Sequence, residues 1–263
     1  MPVITLTTDF GTGSPYVAAM KGVILSIDPG VTLVDVTHDV RPQDIRQGAL
    51  VLDDATHFFP DGTIHVAVVD PGVGGDRKIV YARIGTQQYV APDNGLLSRL
   101  ARRRPPAKII AVSEPDHWLS PVSATFHGRD IMAPVAARLS LGLEPEKLGP
   151  PLEKLVEVDW PEPRVLPGKI EGEILDVDSF GNLITNITSE HLAGVPSAAA
   201  LVSCAGHVAQ GISTTYAENP PSSLVALVGS SGLLELAVVG GSAARLSGAG
   251  VGTPVVVHRQ EKE

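Results

Sequence analysis

Strand-like and helix-like patterns of hydrophobic positions alternate along the first 160 or so residues of the chain. Short runs of β-branched and apolar residues predict buried strands at 3–8, 31–37, 64–69 and 108–112. Apolar residues spaced three to four apart predict helices at 15–27 (after an N-cap at Ser14), 45–59, 95–103 and 129–141. Two more strand patterns, 79–84 and 88–91, predict a hairpin that turns at Gly85. This alternation is typical of an α/β domain with a parallel sheet.

The pattern changes at a proline-rich segment, residues 161–168, which reads PEPRVLPG. We interpret it as a linker that neither a helix nor a sheet tolerates. Beyond it the helical periodicity disappears, and short strand patterns occur at 169–176, 183–187, 200–204, 224–228, 233–238 and 254–258. Short strands separated by Gly, Ser and Asn predict a small antiparallel barrel or sandwich. The chain is therefore predicted to form two domains, 1–160 and 169–263.

Composition and charge narrow the class of protein. Of the 263 residues, 43% are hydrophobic and 19% charged, which is typical of a globular chain. The 27 glycines and 22 prolines imply many short elements and argue against a coiled coil or a plain helical bundle. The formal net charge of −9 disfavours nonspecific binding to nucleic acid or to an anionic membrane.

The cysteine content, the N-terminal residues and the most apolar tract indicate where in the cell the protein is expected. The single cysteine, Cys204, excludes an intrachain disulfide and a cysteine-based zinc site. The N-terminal residues continue directly into a strand pattern without a basic, cleavable leader. The most apolar tract, 223–239, is interrupted by Gly, Ser and Glu, so it cannot span a bilayer. We therefore expect a soluble, cytoplasmic protein.

Candidate chemistry lies where the predicted strands end, because open α/β sheets bind ligands there. The common nucleotide-loop, zinc-protease and nucleophile-elbow motifs are absent. Asp9 follows the first strand, and its carboxylate suits either the hydroxyls of a ribose or an Asx turn. Asp70 and Arg77 flank a glycine-rich loop after the third strand and can meet across it, and His127 precedes the last predicted helix.

These residues alone leave several functions open. His38 and Asp39 after the second strand favour a turn-stabilising pair. A metal-dependent hydrolase would instead use Asp9, His38, Asp39, Asp70 and His127 as ligands. A third interpretation is a nucleoside-binding sensor that has the pocket without turnover.

Six motifs in a fixed order indicate a family. They are TTDFG, VDPGVGGDR, APDNG, TFHGRD, DSFGNLITNI and SSGLLELA, and they extend along nearly the whole chain. With them the sequence closely resembles the adenosine-forming S-adenosyl-L-methionine (SAM) hydrolases, also called SAM hydroxide adenosyltransferases. The resemblance implies a Rossmann-like N-terminal domain, a C-terminal β-barrel and a homotrimer with active sites between neighbouring subunits. It also implies that SAM and water give adenosine and L-methionine, with no metal or organic cofactor.

The resemblance also implies roles for individual residues. Asp70, Arg77 and His127 match the set that positions and activates water, and Asp9 matches the carboxylate that holds the ribose. The implied contacts in the C-terminal domain are Asp178 to the methionine amino group, Asn182 and the backbone of Val238 to adenine, and Ser230 and Glu235 around the methionine moiety.

Related enzymes that fluorinate or chlorinate SAM form the main alternative within this resemblance. They lack the histidine of TFHGRD, which is His127 here, and the fluorinating ones carry an extra loop. The segment 81–97 leaves no room for that insertion. The Asp70 carboxylate would also repel a halide. We therefore favour hydrolysis over halogenation.

Overall fold

The computed structural model describes residues 1–259 of the chain, which divides into two compact units with a boundary between Val158 and Asp159. None of the helices in the described part is long and apolar enough to cross a membrane.

The first unit is built on a six-stranded sheet. Its strands are β1 (Val3–Thr8), β2 (Thr32–Thr37), β3 (Ile64–Val68), β4 (Ile79–Ile84), β5 (Gln87–Pro92) and β6 (Lys108–Ala111). The spatial order is β2-β1-β3-β5-β4-β6. Strands β1, β2, β3 and β5 are parallel, whereas β4 is antiparallel to both neighbours. The hairpin predicted at 79–84 and 88–91 is confirmed as the antiparallel pair β4–β5. The β4–β5 hairpin, which turns at Gly85 with a φ of +60°, makes the sheet mixed.

Four helices cover this sheet on both faces. They are α1 (Tyr16–Ile27), α2 (Ile45–Ala55), α3 (Ser98–Arg103) and α4 (Ala133–Ser140). One apolar cluster joins α1 and α4 to alternate residues of β1, such as Ile4 and Leu6. A second cluster, on the opposite face, includes Leu52 of α2 and Leu100 of α3. Burial on both faces explains why a central strand such as β3 appears as a nearly continuous apolar run.

All four predicted helices differ from the observed ones at their ends, and the helix predicted at 95–103 begins at Ser98. Ser14 does not cap α1, because its hydroxyl donates to the carbonyl oxygen of Phe10 at 3.0 Å. The predicted helix 45–59 ends at Ala55 and continues as a 3₁₀ turn. The predicted helix 129–141 opens with a π-helical turn, Gly128–Met132, before α4 begins.

The described part of the second unit, residues 159–259, contains eight strands in an antiparallel, nearly closed barrel-like sheet. They are β7 (Arg164–Leu166), β8 (Lys169–Val177), β9 (Leu183–Thr188), β10 (Ala200–Cys204), β11 (His207–Gln210), β12 (Leu224–Val228), β13 (Leu233–Val238) and β14 (Pro254–Arg259). The order is β11-β10-β14-β8-β9-β13-β12, with β7 paired to β8. An isolated bridge between Ser213 and Leu227 links the segment after β11 to β12.

Part of the proline-rich segment is a strand, contrary to the expectation that no sheet tolerates it. β7 forms a hairpin with β8 in which Leu166 pairs with Lys169 across Pro167 and Gly168. The φ of Gly168 is +76°, as a type II turn with proline before glycine requires. The prolines flank β7, which lies off the main strand path, so no ladder hydrogen bond is lost to them.

Candidate active site

The glycine-rich loop after β3 is held tightly against the loop that carries His127. Asn94 clamps the end of the strand by donating to the carbonyl oxygen of Val69 at 2.9 Å. Two successive turns follow, and Gly74 adopts a φ of +78°. A Cβ atom at Gly74 would clash with the carbonyl oxygen of Ala124. Only glycine therefore allows the two loops to approach this closely.

Asp70 and Arg77 meet across this loop, as their spacing predicts. Arg77 Nε lies 3.0 Å from both carboxylate oxygens of Asp70, and Nη2 lies 2.5 Å from Oδ2. The side chains are only 4% (Asp70) and 12% (Arg77) exposed. This is a bidentate, largely desolvated pair, which is stronger and more directional than a surface ion pair.

Arg77 also reaches His127, so the three residues form one cluster, which we call the triad. The distance from Arg77 Nη2 to His127 Nδ1 is 2.8 Å. A guanidinium can only donate, so Nδ1 must accept and the imidazole proton must lie on Nε2. Burial lowers the pKa of His127, and the Arg77 charge lowers it further, against opposing effects of Asp70 and Asp130. Geometry and charge therefore both favour a neutral His127 that can donate from Nε2.

The π-helical turn after His127 is anchored by Asp130, which sequence reasoning did not single out. Asp130 is 1% exposed and accepts from the backbone N–H of Ser123 at 2.8 Å and from Arg129 Nε at 2.5 Å. Its backbone carbonyl also accepts from the N–H of Leu119. One buried carboxylate thus ties down the segment that presents His127. The motif TFHGRD contains Asp130, but its contacts come from residues that only the fold brings near.

A cavity of about 450 Å³ adjoins two members of the triad, Arg77 and His127. Its other walls are mainly apolar and include Ile79, Trp118 and Ile131.

Asp9 lies at the end of β1, where the sequence predicts it. Its Oδ2 accepts from the backbone N–H of Gln43 at 2.8 Å. Gln43 has a φ of +64°, which is unusual for a residue other than glycine. The carboxylate therefore holds a strained loop at the edge of the sheet where the triad lies.

His38 and Asp39 do not form the turn-stabilising pair expected from the sequence. His38 is buried, with Nδ1 2.9 Å from Thr8 Oγ1 and Nε2 3.0 Å from Asp35 Oδ1. Asp39 is exposed, and its backbone N–H donates to Thr37. Parallel pairing of β1 with β2 brings Thr8 to His38, and adjacency in sequence does not detect such a contact.

The set of ligands considered for a metal is not gathered in one place. Within residues 1–259, no group of three or more His, Cys, Asp or Glu side chains is placed to hold a metal ion. Arg77 stands between Asp70 and His127, and its positive charge disfavours a divalent cation there.

Two of the predicted binding residues of the second unit hold each other. Asp178 Oδ2 accepts from Asn182 Nδ2 at 2.9 Å, and Oδ1 accepts from the backbone N–H groups of Phe180 and Asn182. The amide oxygen of Asn182 is thereby left as an acceptor, while the Asp178 carboxylate is held by local donors. This loop is preorganised before any ligand binds.

Glu235 lies in β13 and is 6% exposed. It accepts a short hydrogen bond from the hydroxyl of Tyr216, a partner that sequence reasoning missed. Burial raises the pKa of Glu235, and the Asp178 carboxylate raises it too, against the Tyr216 hydrogen bond. Two neighbouring carboxylates of this kind are suited to a cation.

The two remaining predicted residues lie at the ends of β13. Ser230 is exposed in the turn before it. Val238 ends the strand, and its carbonyl oxygen accepts from the N–H of Gly241 at 2.9 Å.

Two family models match the chain in order. The model described as SAM hydroxide adenosyltransferase N-terminal domain matches residues 4–149, and the one described as the C-terminal domain matches residues 172–256.

Similar proteins cover between 71% and 97% of this chain. The (R)-S-adenosyl-L-methionine hydrolase of Thermus thermophilus is 40% identical over 265 residues, which cover 97% of this chain and 99% of the relative. The fluorinase of an Actinoplanes species is 32% identical over 71% of this chain and 72% of its own. The crystal structure of an uncharacterized conserved protein from Thermotoga maritima has a TM-score of 0.92 at 34% identity, covering 97% of this chain and 100% of its own.

Proposed function

The chain belongs to the SAM hydroxide adenosyltransferase family and is a SAM hydrolase, and we propose that its Asp70, Arg77 and His127 position and activate the water that attacks the substrate. The observation that carries this proposal is the single guanidinium that binds both the Asp70 carboxylate and the His127 imidazole. We also propose the (R) epimer at sulfur as the substrate, because the hydrolase relative bears that designation.

The reaction joins the oxygen of water to C5′ of the ribose and breaks the bond from C5′ to sulfur. The electron pair of that bond stays on sulfur, so methionine leaves as a neutral thioether and the proton of water goes to solvent. Such a leaving group needs no general acid. The triad therefore has to serve only the nucleophile, while the binding residues hold the ribose and the sulfonium in line with it.

Orientation outweighs proton transfer in this reaction. Holding reactants in line can contribute up to ~7–11 kcal/mol, whereas a general base contributes about 3–5 kcal/mol. If hydroxide is the attacking species, an anion and a cation combine into neutral products, so charge disappears on the way to the transition state. A site with little water favours such a step.

His127 acts in this proposal as a donor. With Nδ1 engaged by Arg77, the neutral ring presents Nε2–H and has no free lone pair to accept a proton. It therefore holds the nucleophile's oxygen while the proton leaves to solvent. Acidification would protonate Nδ1 and break the bond to Arg77. The rate should accordingly fall on the acid side, below the usual titration range of histidine, because the pKa of His127 is lowered.

Substrate binding is assigned to the other predicted residues. Asp9 holds the ribose hydroxyls through the carboxylate oxygen that Gln43 leaves open. In the second unit the proposed contacts are Asp178 and Glu235 to the methionine ammonium, Ser230 to the methionine moiety, the amide oxygen of Asn182 to the amino group of adenine, and the backbone of Val238 to adenine. The neighbouring carboxylates and the free amide oxygen support these assignments.

We further propose a cytoplasmic homotrimer with active sites between neighbouring subunits and with no nucleic-acid, membrane or metal partner. Family resemblance supports the trimer, and the net charge of −9 supports the absence of nucleic acid. Sedimentation equilibrium tests whether the protein is a homotrimer. A mass of three chains supports it, and a mass of one chain contradicts it.

The deciding experiment is chromatography of (R)- and (S)-SAM after incubation with EDTA-treated protein, with and without fluoride and chloride. Adenosine and methionine should form regardless of halide, faster from the (R) epimer. Asp70→Asn should slow the reaction strongly, and Asp39→Asn, which alters an exposed carboxylate, should not. A halogenated nucleoside would indicate a halogenase. Bound but intact SAM would indicate a sensor, and rescue by a divalent ion would indicate a metalloenzyme.

A further inference from the structure

Three aromatic side chains of the first unit form a compact group, the aromatic cluster of Phe10, Tyr16 and Phe126. Their ring centroids lie 5.2–5.8 Å apart with interplanar angles of 66–81°. These are edge-to-face contacts of the favoured kind. The chain has only 5 Phe, 4 Tyr and 2 Trp, so a three-ring group uses a large share of its aromatic residues.

The aromatic cluster lies between two residues of the proposed site. Phe10 directly follows Asp9, and Phe126 directly precedes His127. Consecutive Cα atoms are about 3.8 Å apart, so ring contact between Phe10 and Phe126 brings the backbones of Asp9 and His127 near each other. Tyr16, the first residue of α1, completes the group and is 51% exposed. About half of this residue is therefore accessible to a ligand near the segments that carry Asp9 and His127.

The charges around the aromatic cluster suit a cation. Arg129 lies 4.9 Å from the ring centroid of Phe126 but is neutralised by Asp130. Arg77 is likewise neutralised by Asp70. Asp9 accepts from the uncharged backbone N–H of Gln43. These five charged side chains thus sum to one negative charge.

We propose that the ring of Tyr16, which packs against Phe10 and Phe126, binds the sulfonium of SAM and makes Tyr16 a specificity-determining residue. This inference rests on the proposed function. The positive charge of a sulfonium spreads over the methyl and methylene groups attached to sulfur, and the negative face of an aromatic ring attracts such a cation. S-adenosylhomocysteine has the same adenosine and amino-acid parts but a neutral sulfur. The ring therefore favours the charged substrate over neutral thioethers.

The test compares charged and neutral ligands in Tyr16→Leu, with Tyr16→Phe as the matched control that keeps the ring. KM for SAM and the inhibition constant of S-adenosylhomocysteine are measured in one assay. Tyr16→Leu should raise KM about three- to thirty-fold, the range for one cation–π contact, with kcat and the inhibition constant little changed. Tyr16→Phe should retain wild-type selectivity. Because Tyr16 is half exposed, Leu at this position should be tolerated, and a thermal melt checks this.

Two results would overturn the inference. If both ligands weaken equally in Tyr16→Leu, the ring supplies only apolar area. If neither changes, the ring does not touch the substrate. A wild-type protein that does not hydrolyse SAM would contradict the proposed function instead. In that case calorimetric binding of SAM and S-adenosylhomocysteine to Tyr16→Leu still tests the cation contact separately.

Discussion

Replacing His127 by asparagine and, in parallel, by alanine distinguishes a hydrogen-bond donor from a base at this position. A neutral imidazole with Nδ1 accepting and Nε2–H donating presents one acceptor and one donor. The asparagine amide presents the same two groups but cannot take up a proton. Alanine presents neither. If His127 holds the nucleophile as a donor, asparagine should replace it in part, whereas a base would be lost equally in both variants.

The expected decrease in kcat follows from the hydrogen bonds of the His127 ring. His127 accepts one charge-assisted hydrogen bond from Arg77 at 2.8 Å, and in our proposal it donates one to the nucleophile. A hydrogen bond involving a charged group contributes about 1.5–3 kcal/mol. At about 1.4 kcal/mol per factor of ten, His127→Ala should lower kcat roughly 10- to 150-fold. His127→Asn should stay within about tenfold of wild type.

The assay is the initial rate of adenosine formation over a range of pH and SAM concentration. His127→Ala should lower kcat far more than it raises KM, because the contact is to the nucleophile. His127→Asn should also lose the decline in rate on the acid side, since the amide does not titrate. An asparagine variant as slow as the alanine variant, with both folded, would refute the donor role. Normal turnover in His127→Ala would remove His127 from the site.

Three other predictions concern the surroundings of the triad and the core. Asp130→Asn removes a charge that raises the pKa of His127, so the acid decline in kcat should move to lower pH; an unchanged profile contradicts this coupling. Gly74→Ala should lower kcat up to ~100-fold by separating the two loops, whereas Gly72→Ala, where a Cβ meets only ordinary contacts, should not; equal rates would refute the packing argument. Burial lowers the pKa of His65 to about 4, so the folded state takes up its proton less readily than the unfolded chain. The free energy of unfolding should therefore fall by roughly 3 kcal/mol as pH drops from 6.5 to 4. In urea titrations of His65→Gln over the same pH range, this decrease should be absent.

Much of the fold could be predicted because each strand carries its own pattern. The buried run of β3 and the hairpin at Gly85 are local features, and their bounds agree closely with the structure. Short elements of the second unit were missed. β11 has four residues, and α5 (Ala243–Ser247) is defined mainly by its ends, with Ser242 accepting from the N–H of Arg245. Neither element is long enough to show a hydrophobic periodicity in the sequence.

In the candidate site, too, local features could be predicted and long-range contacts could not. Asp70 and Arg77 are seven residues apart and could be paired from the loop alone. The bond from Arg77 to His127 spans 50 residues and depends on the close approach of Gly74 to Ala124, which no local pattern reveals. Resemblance to a family supplied that grouping before the geometry did. The partner of Glu235, Tyr216, is 19 residues away and was found only in the folded barrel.

The shielding of the Asp70–Arg77 pair also determines how the protein should respond to ionic strength. At 0.1 M salt, the interaction between exposed charges is screened with a Debye length of about 10 Å, whereas a desolvated pair is screened much less. Asp70 is 4% exposed, so added salt should leave the geometry of the triad, and with it the rate of the chemical step, nearly constant. Asp9 is partly exposed and its hydrogen bond to Gln43 lies at the surface, so its attraction for a cationic substrate should weaken with added salt. Because this ion pair is buried, added salt should slow the binding of the substrate without changing the rate of its conversion.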